Sequence, residues 1–162
     1  MRKINVEISA EEHDSLASLD DQGKLLLKKS REVIQNAYAP YSRFKVACSV
    51  LLSSGEIITG TNQENAAYPS GLCAERVALF SAMSQYPNAK VLALGIIAQN
   101  ESDNIKSPIS PCGSCRQVIA EYEKKQSSTI TLYLQGSKDG KILKINSNKD
   151  LLPFAFDSDF LK

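Results

Sequence analysis

The residues whose types and spacing can do chemistry lie in two stretches, Cys73-Ala74-Glu75-Arg76 and Pro111-Cys112-Gly113-Ser114-Cys115-Arg116. Apolar residues follow each at helical spacing, Val77, Leu79, Phe80 and Met83 in one and Val118, Ile119 and Tyr122 in the other, so each cysteine set opens a helix. Unpaired backbone N–H groups at a helix start favour negative charge and ease ionisation of a thiol there. Two cysteines separated by two residues can grip one metal, and Cys73 from the other helix start makes three ligands for a tetrahedral ion such as Zn²⁺. A fourth position stays open, as in catalytic sites that keep it for water. The chain is short of residues to fill it: its only histidine, His13, is far away in sequence, and its remaining cysteine, Cys48, sits in an apolar run.

Glu75 follows Cys73 by two residues and starts on the same helical turn, where it can face the metal without binding it. A water acidified by the ion needs a partner that removes one proton and delivers it to a leaving group, and a glutamate serves both steps. Three thiolates on Zn²⁺ leave excess negative charge, which Arg76 and the two helix starts offset.

With 162 residues the chain fits one domain and is long enough to bury a core. Nineteen basic against eighteen acidic side chains give a net charge of +1, which offers no footprint for a polyanion or an acidic membrane. The N-terminus lacks the apolar run of a secretory signal, and no stretch approaches the ~20 apolar residues of a membrane span. A cytoplasmic protein is expected, and its four cysteines read as thiols rather than two disulfides.

The elements that must position these residues follow from periodicity. Ile4 to Ile8 alternates and predicts a short edge strand, and His13, among Glu11, Glu12 and Asp14, reads as solvated. From Asp20 an amphipathic helix carries Leu25, Leu26, Leu27, Val33, Ile34 and Ala37 on its apolar face, and Pro40 ends it. Alternating residues from Phe44 to Leu52 turn through Ser53-Ser54-Gly55-Glu56 into Ile57 to Thr61, which predicts a hairpin. A helix from Cys73 to about Tyr86 precedes a buried strand, Val91 to Ala98, and a polar loop from Gln99 to Lys106. A helix from Cys112 to about Lys125, strands Thr129 to Leu134 and Lys141 to Ile145, and a short helix with an apolar tail near Phe156 complete the reading. This order implies a mixed sheet with parallel members and helices on both faces.

The Cys-x-Glu and Pro-Cys-x-x-Cys spacing is the zinc-deaminase signature. Together with Ala37-Tyr38-Ala39-Pro40-Tyr41-Ser42, Phe44-Lys45-Val46, Asn62-Gln63-Glu64-Asn65-Ala66-Ala67-Tyr68, Ser110-Pro111, Arg116-Gln117 and Leu151-Leu152-Pro153, the chain resembles the small, three-cysteine, homotetrameric cytidine deaminases that act on free nucleosides. The likeness runs from about Leu25 to near the C-terminus. It implies a three-layer α/β/α fold with a mixed sheet of about five strands, an N-terminal extension over residues 1–21 and a deaminase domain over 22–162. It implies one Zn²⁺ per subunit on Cys73, Cys112 and Cys115, Glu75 as the catalytic residue, and a homotetramer.

Further roles come from the same resemblance. Phe44, which by itself reads as core, matches a phenylalanine that packs on the pyrimidine. Asn62 and Glu64 by themselves read as a polar turn; one residue apart on extended chain, an amide and a carboxylate suit a ribose, and Glu64 disfavours a 3′ phosphate. The backbone N–H of Ala74 matches a donor to the pyrimidine carbonyl and the Ser110 carbonyl an acceptor for the departing amine, while Ala66, Tyr68 and Phe156 match residues acting across a subunit interface. Where many relatives read Gly-Ala-Ala, this chain has Ala47-Cys48-Ser49, with Cys48 as a small buried apolar residue. The expected reaction is hydrolytic deamination of cytidine and 2′-deoxycytidine in pyrimidine salvage, with no nucleic-acid or membrane partner. Rival readings are a deaminase of a polynucleotide or of another cytosine-bearing small molecule, and a structural zinc or redox protein.

Overall fold

The computed structural model describes residues 1–100 and 104–161; part of the polar loop expected from Gln99 to Lys106 lies outside them. Helix α1 (Asp21–Val33) starts at Asp20, whose carboxylate accepts from the Gly23 N–H at 2.8 Å, and its Leu26 and Leu27 are fully buried. A short 3₁₀ turn, Ile34–Asn36, ends it ahead of Pro40. The remaining elements are strands β1 (Glu11–His13), β2 (Phe44–Leu52), β3 (Ile57–Thr61), β4 (Val91–Asn100), β5 (Thr131–Gln135) and β6 (Ile142–Ile145), and helices α2 (Ala74–Gln85) and α3 (Gly113–Gln126).

The strands form one sheet in the order β1-β6-β5-β4-β2-β3. Among the described strands β4 and β5, joined through α3, run parallel, and the other neighbours are antiparallel. Two apolar clusters divide the molecule. Leu26, Leu27 and Ile34 of the α1 segment pack with Ala47, Ala93, Ile97 and Tyr133 on one face of the sheet. Ala74, Ala78, Leu79 and Ile119 of α2 and α3 pack with Cys48, Val50, Leu94, Ile96 and Leu132 on the other. The expected three layers and mixed sheet are present, and the two helices that carry the cysteines share one face.

Close approach of α2 to the sheet requires a missing side chain. A Cβ on Gly60 of β3 would lie 2.5 Å from the Ala78 nitrogen and 2.9 Å from the Ala74 carbonyl oxygen. Glycine here lets the first turn of α2 rest directly on β3.

The terminal regions differ from the sequence reading. The N-terminal strand is Glu11–His13 rather than residues 4–8: it pairs with β6, with Glu12 meeting Lys141 just before that strand and Glu11 3.8 Å from Lys144 on it, whereas Ile4, Val6 and Ile8 are exposed and pair with no strand among the described residues. This strand is the sixth member of the sheet. It also draws His13 into a half-buried position, with its Nε2 3.6 Å from a Glu11 carboxylate oxygen. The short C-terminal helix is a single 3₁₀ turn, Asn148–Asp150, which Pro153, having no N–H, does not extend, and a second 3₁₀ turn at Ser158–Leu161 follows the apolar tail.

Candidate active site

Cys73 and Cys112 are the N-cap residues of α2 and α3, and neither side chain caps its own helix, so both sulfurs are free to face each other. The Cys73 and Cys112 sulfurs are 3.6 Å apart and those of Cys112 and Cys115 3.4 Å. All three lie within 4.8 Å of one another, and they are the one group of this kind among the described residues. Zn–S bonds of about 2.3 Å in a tetrahedron place sulfurs about 3.8 Å apart, so the spacing suits a single zinc ion. None of the cysteines is in a disulfide; Cys48 is fully buried in β2, in the apolar cluster beneath α2.

The thiols also have the electrostatics of ligands. Donation from the Cys115 thiol, together with the Arg76 guanidinium 3.7 Å from the Cys73 sulfur, lowers the Cys73 pKa to about 5 against the cost of burial. Sharing that proton, and then burial, pushes Cys115 upward. A thiolate is therefore already favoured at the α2 start.

Glu75, on the first turn of α2, is 4 % exposed and does not belong to the sulfur cluster. Burial first, and the charge on Cys73 as well, raise its pKa above the usual carboxylate value, while hydrogen bonds from its own N–H and from Cys115, with the charge of Arg76, pull the other way. A carboxyl held near sulfur ligands with an elevated proton affinity has the character of a proton carrier.

Beside Cys73 opens a cavity of about 510 Å³ bordered by Tyr41, Ser42, Asn62, Glu64, Tyr68 and Arg76, among others. Asn62 and Glu64 border it together, but each is also committed to the scaffold. The Asn62 side chain accepts from the Val46 N–H at 2.8 Å and donates to the Phe44 carbonyl at 2.9 Å, fixing the start of β2. Glu64 accepts from the N–H groups of Tyr41 at 3.0 Å and Ser42 at 3.3 Å and from the Ser42 hydroxyl, contacts that hold its pKa below the ordinary value. These bonds secure a turn in which Arg43, at φ 55°, adopts the left-handed region that L-residues rarely occupy.

The other expected residues fall at different depths. Ala74 is fully buried at the first position of α2, and Ser110 is exposed two residues before Cys112. Phe44 is half-buried at the start of β2 and is not among the residues bordering the cavity. Ala66 is exposed, and so is Tyr68, whose ring meets Tyr41 edge-to-face at 6.0 Å. Phe156 is exposed and stacks on Phe160, with ring centres 5.6 Å apart. Sequence reasoning assigned no role to Tyr41 and Ser42, which anchor Glu64. Their place in the Pro40-Tyr41-Ser42 turn, just before a strand, was the available signal.

Comparison with known proteins agrees with this geometry. A family model described as the cytidine and deoxycytidylate deaminase zinc-binding region matches residues 20–131. Cytidine deaminase of Halalkalibacterium halodurans is 39% identical over 136 residues, covering 84% of this chain and 95% of that protein. Cytidine deaminase of Sporosarcina psychrophila is 40% identical over 136 residues, covering 84% and 92%. Among solved structures, cytidine deaminase from Burkholderia pseudomallei superposes with a TM-score of 0.69 at 34% identity, covering 82% of this chain and 98% of that one.

Proposed function

The chain belongs to the cytidine deaminase family, and we propose that it hydrolyses cytidine and 2′-deoxycytidine to the corresponding uridines with release of ammonia, as an enzyme of pyrimidine salvage. The observation that carries this reading is the meeting of three cysteine sulfurs within 4.8 Å at two helix starts, with the buried Glu75 on the same turn as one of them. Cys73, Cys112 and Cys115 would hold one zinc ion. When bound, zinc supplies Lewis-acid chemistry that makes water a competent nucleophile near neutral pH.

The chain's own residues supply the rest. Glu75 takes a proton from the attacking water and gives it to N3 of the pyrimidine as C4 is attacked; it then takes the remaining proton from the hydroxyl now on C4 and gives it to the amino group, so that the C4–N bond breaks, the C4 carbonyl forms and ammonia leaves. Its raised proton affinity suits both directions of transfer. Arg76 offsets the negative charge of the sulfurs. The Ala74 N–H binds the pyrimidine carbonyl, the Ser110 carbonyl meets the departing amine, and Phe44 packs on the ring. Asn62 and Glu64 read the sugar hydroxyls from the cavity wall, and a carboxylate there repels a 3′ phosphate, which favours a free nucleoside over a polynucleotide.

The assembly belongs to the same proposal. Residues 22–162 form the deaminase domain, with residues 1–21 as an extension that contributes β1. The chain works as a homotetramer in the cytoplasm, and Ala66, Tyr68 and Phe156 reach a neighbouring subunit's site. Their exposure supports action across an interface, as does that of Phe154 and Phe160. No described helix is long and apolar enough to cross a membrane. A side-by-side assay of cytidine, 2′-deoxycytidine and single-stranded DNA tests the substrate class. Turnover of both nucleosides and none of the polymer is expected; the reverse order would overturn it.

A further inference from the structure

Two of the three sulfurs sit on the first turn of α3, and one side chain ties that turn to the C-terminal segment. Arg116 Nε donates to the Pro111 carbonyl at 2.8 Å, its Nη1 donates to the Leu151 carbonyl at 2.9 Å, and its backbone N–H donates to the Cys112 carbonyl at 2.9 Å. The strap continues on both sides. The side chain of Asn148, 1 % exposed, donates to the Arg116 carbonyl at 2.9 Å, and Gln117 Nε2 donates to the Phe156 carbonyl at 2.7 Å.

The Pro111 carbonyl belongs to the rigid peptide plane that ends at the Cys112 Cα, so holding the carbonyl holds the point from which the Cys112 side chain leaves the backbone. Proline has no N–H, which leaves this carbonyl as the only backbone group of the residue that can be held. A planar guanidinium can bridge two carbonyls with separate N–H groups, whereas an ammonium is a single point of attachment.

We propose that Arg116 is a positioning residue for the metal turn, its side chain bracing Pro111 and Cys112 against the Leu151 carbonyl so that zinc retention depends on this guanidinium bridge. This rests on the reading that Cys73, Cys112 and Cys115 hold zinc. It joins two parts of the molecule that the proposed chemistry treats separately, since the segment held by Arg116 and Gln117 ends in Phe156.

The test is the rate at which the zinc-loaded protein gives up its metal to a chromogenic chelator, with the thiolate absorption of the Co²⁺ form as a probe of ligand geometry. Partners that orient metal ligands typically contribute about 10–100-fold to affinity. Arg116→Ala should release zinc at least about tenfold faster than wild type and shift the Co²⁺ bands, with Arg116→Lys between the two. Glu123→Gln is the control, because Glu123 accepts from the N–H groups of Ile130 at 2.8 Å, just before β5, and of Asn148 at 3.0 Å, where the C-terminal segment begins, through bonds that do not involve Pro111 or Leu151. It should lower Tm while leaving zinc release within about twofold of wild type, well short of the change expected at Arg116. Wild-type release from a folded Arg116→Ala, or equal acceleration by Glu123→Gln, overturns the proposal; if Arg116→Ala fails to fold, Arg116→Lys decides by the same criterion. A wild-type protein that binds no zinc would refute the metal reading, and so is distinguishable from a failure of the Arg116 role.

Discussion

Replacing Glu75 by glutamine separates proton transfer from every other property of the site. The two side chains have nearly the same shape, so a position only 4 % exposed can accept the amide without a cavity or a clash. Glutamine cannot carry a proton between water, ring nitrogen and leaving amine. Each assisted transfer is worth about 10²–10⁴ in rate, and at least two pass through this residue, so kcat should fall by about 10⁴ or more, equivalent to about 5.5 kcal/mol of transition-state stabilisation. Stability should move the other way. Burial raises the Glu75 pKa, so its ionised form costs stability at neutral pH and the neutral amide should keep or raise Tm. The assay is single-turnover deamination of cytidine followed by ultraviolet absorbance, with zinc content and Tm measured on the same samples. A zinc-loaded, folded variant with kcat within about tenfold of wild type would remove Glu75 from the mechanism.

Four further outcomes follow from contacts around the site. Gly60→Ala brings a Cβ 2.5 Å from the Ala78 nitrogen and should force the α2 start off β3, costing about 1–3 kcal/mol in denaturant unfolding and weakening zinc binding. Asn62→Ala leaves the Val46 N–H and Phe44 carbonyl without their partner, so Tm should drop, by about 1–3 kcal/mol in stability, and KM for cytidine should rise; an unchanged Tm would contradict the clamp. Because the Ser42 hydroxyl and two backbone N–H groups lower the Glu64 pKa, its clamp is complete above the ordinary carboxylate range and is lost only as pH falls through the lowered value. KM should therefore stay flat from pH 7 to about 5, and a rise within that range would count against it. Phe156→Ala should raise KM while leaving zinc content unchanged, and a fully active monomer would refute its action across an interface.

The cysteines and Glu75 were legible because their logic is local: helical spacing after Cys73 and Cys112 made both of them N-caps, and that fixed the face on which Glu75 and Cys115 begin. The β2–β3 hairpin and the doubly buried β4 were legible for the same reason, in the alternation from Phe44 and the apolar run from Val91. What stayed hidden depends on partners remote in sequence. The strand at Glu11–His13 is favoured by Lys141 and Lys144, the former 129 residues from Glu12, while the stronger alternation at Ile4–Ile8 pairs with no strand among the described residues. The double duty of Asn62 was invisible because its partners are backbone groups of β2, which leave no trace in residue type. Arg116 stood in plain view beside Cys115, but the Leu151 carbonyl it reaches lies 35 residues on.

Stepwise return of Zn²⁺ to protein stripped by a chelator, with cytidine turnover recorded at each addition, bears most directly on three sulfurs sharing one catalytic ion. Turnover should climb in proportion to bound zinc and level off at one ion per chain, with Cys112→Ser binding little metal and showing no turnover. Full turnover by the metal-free protein, or one tightly held zinc per chain without any deamination of cytidine, would contradict it.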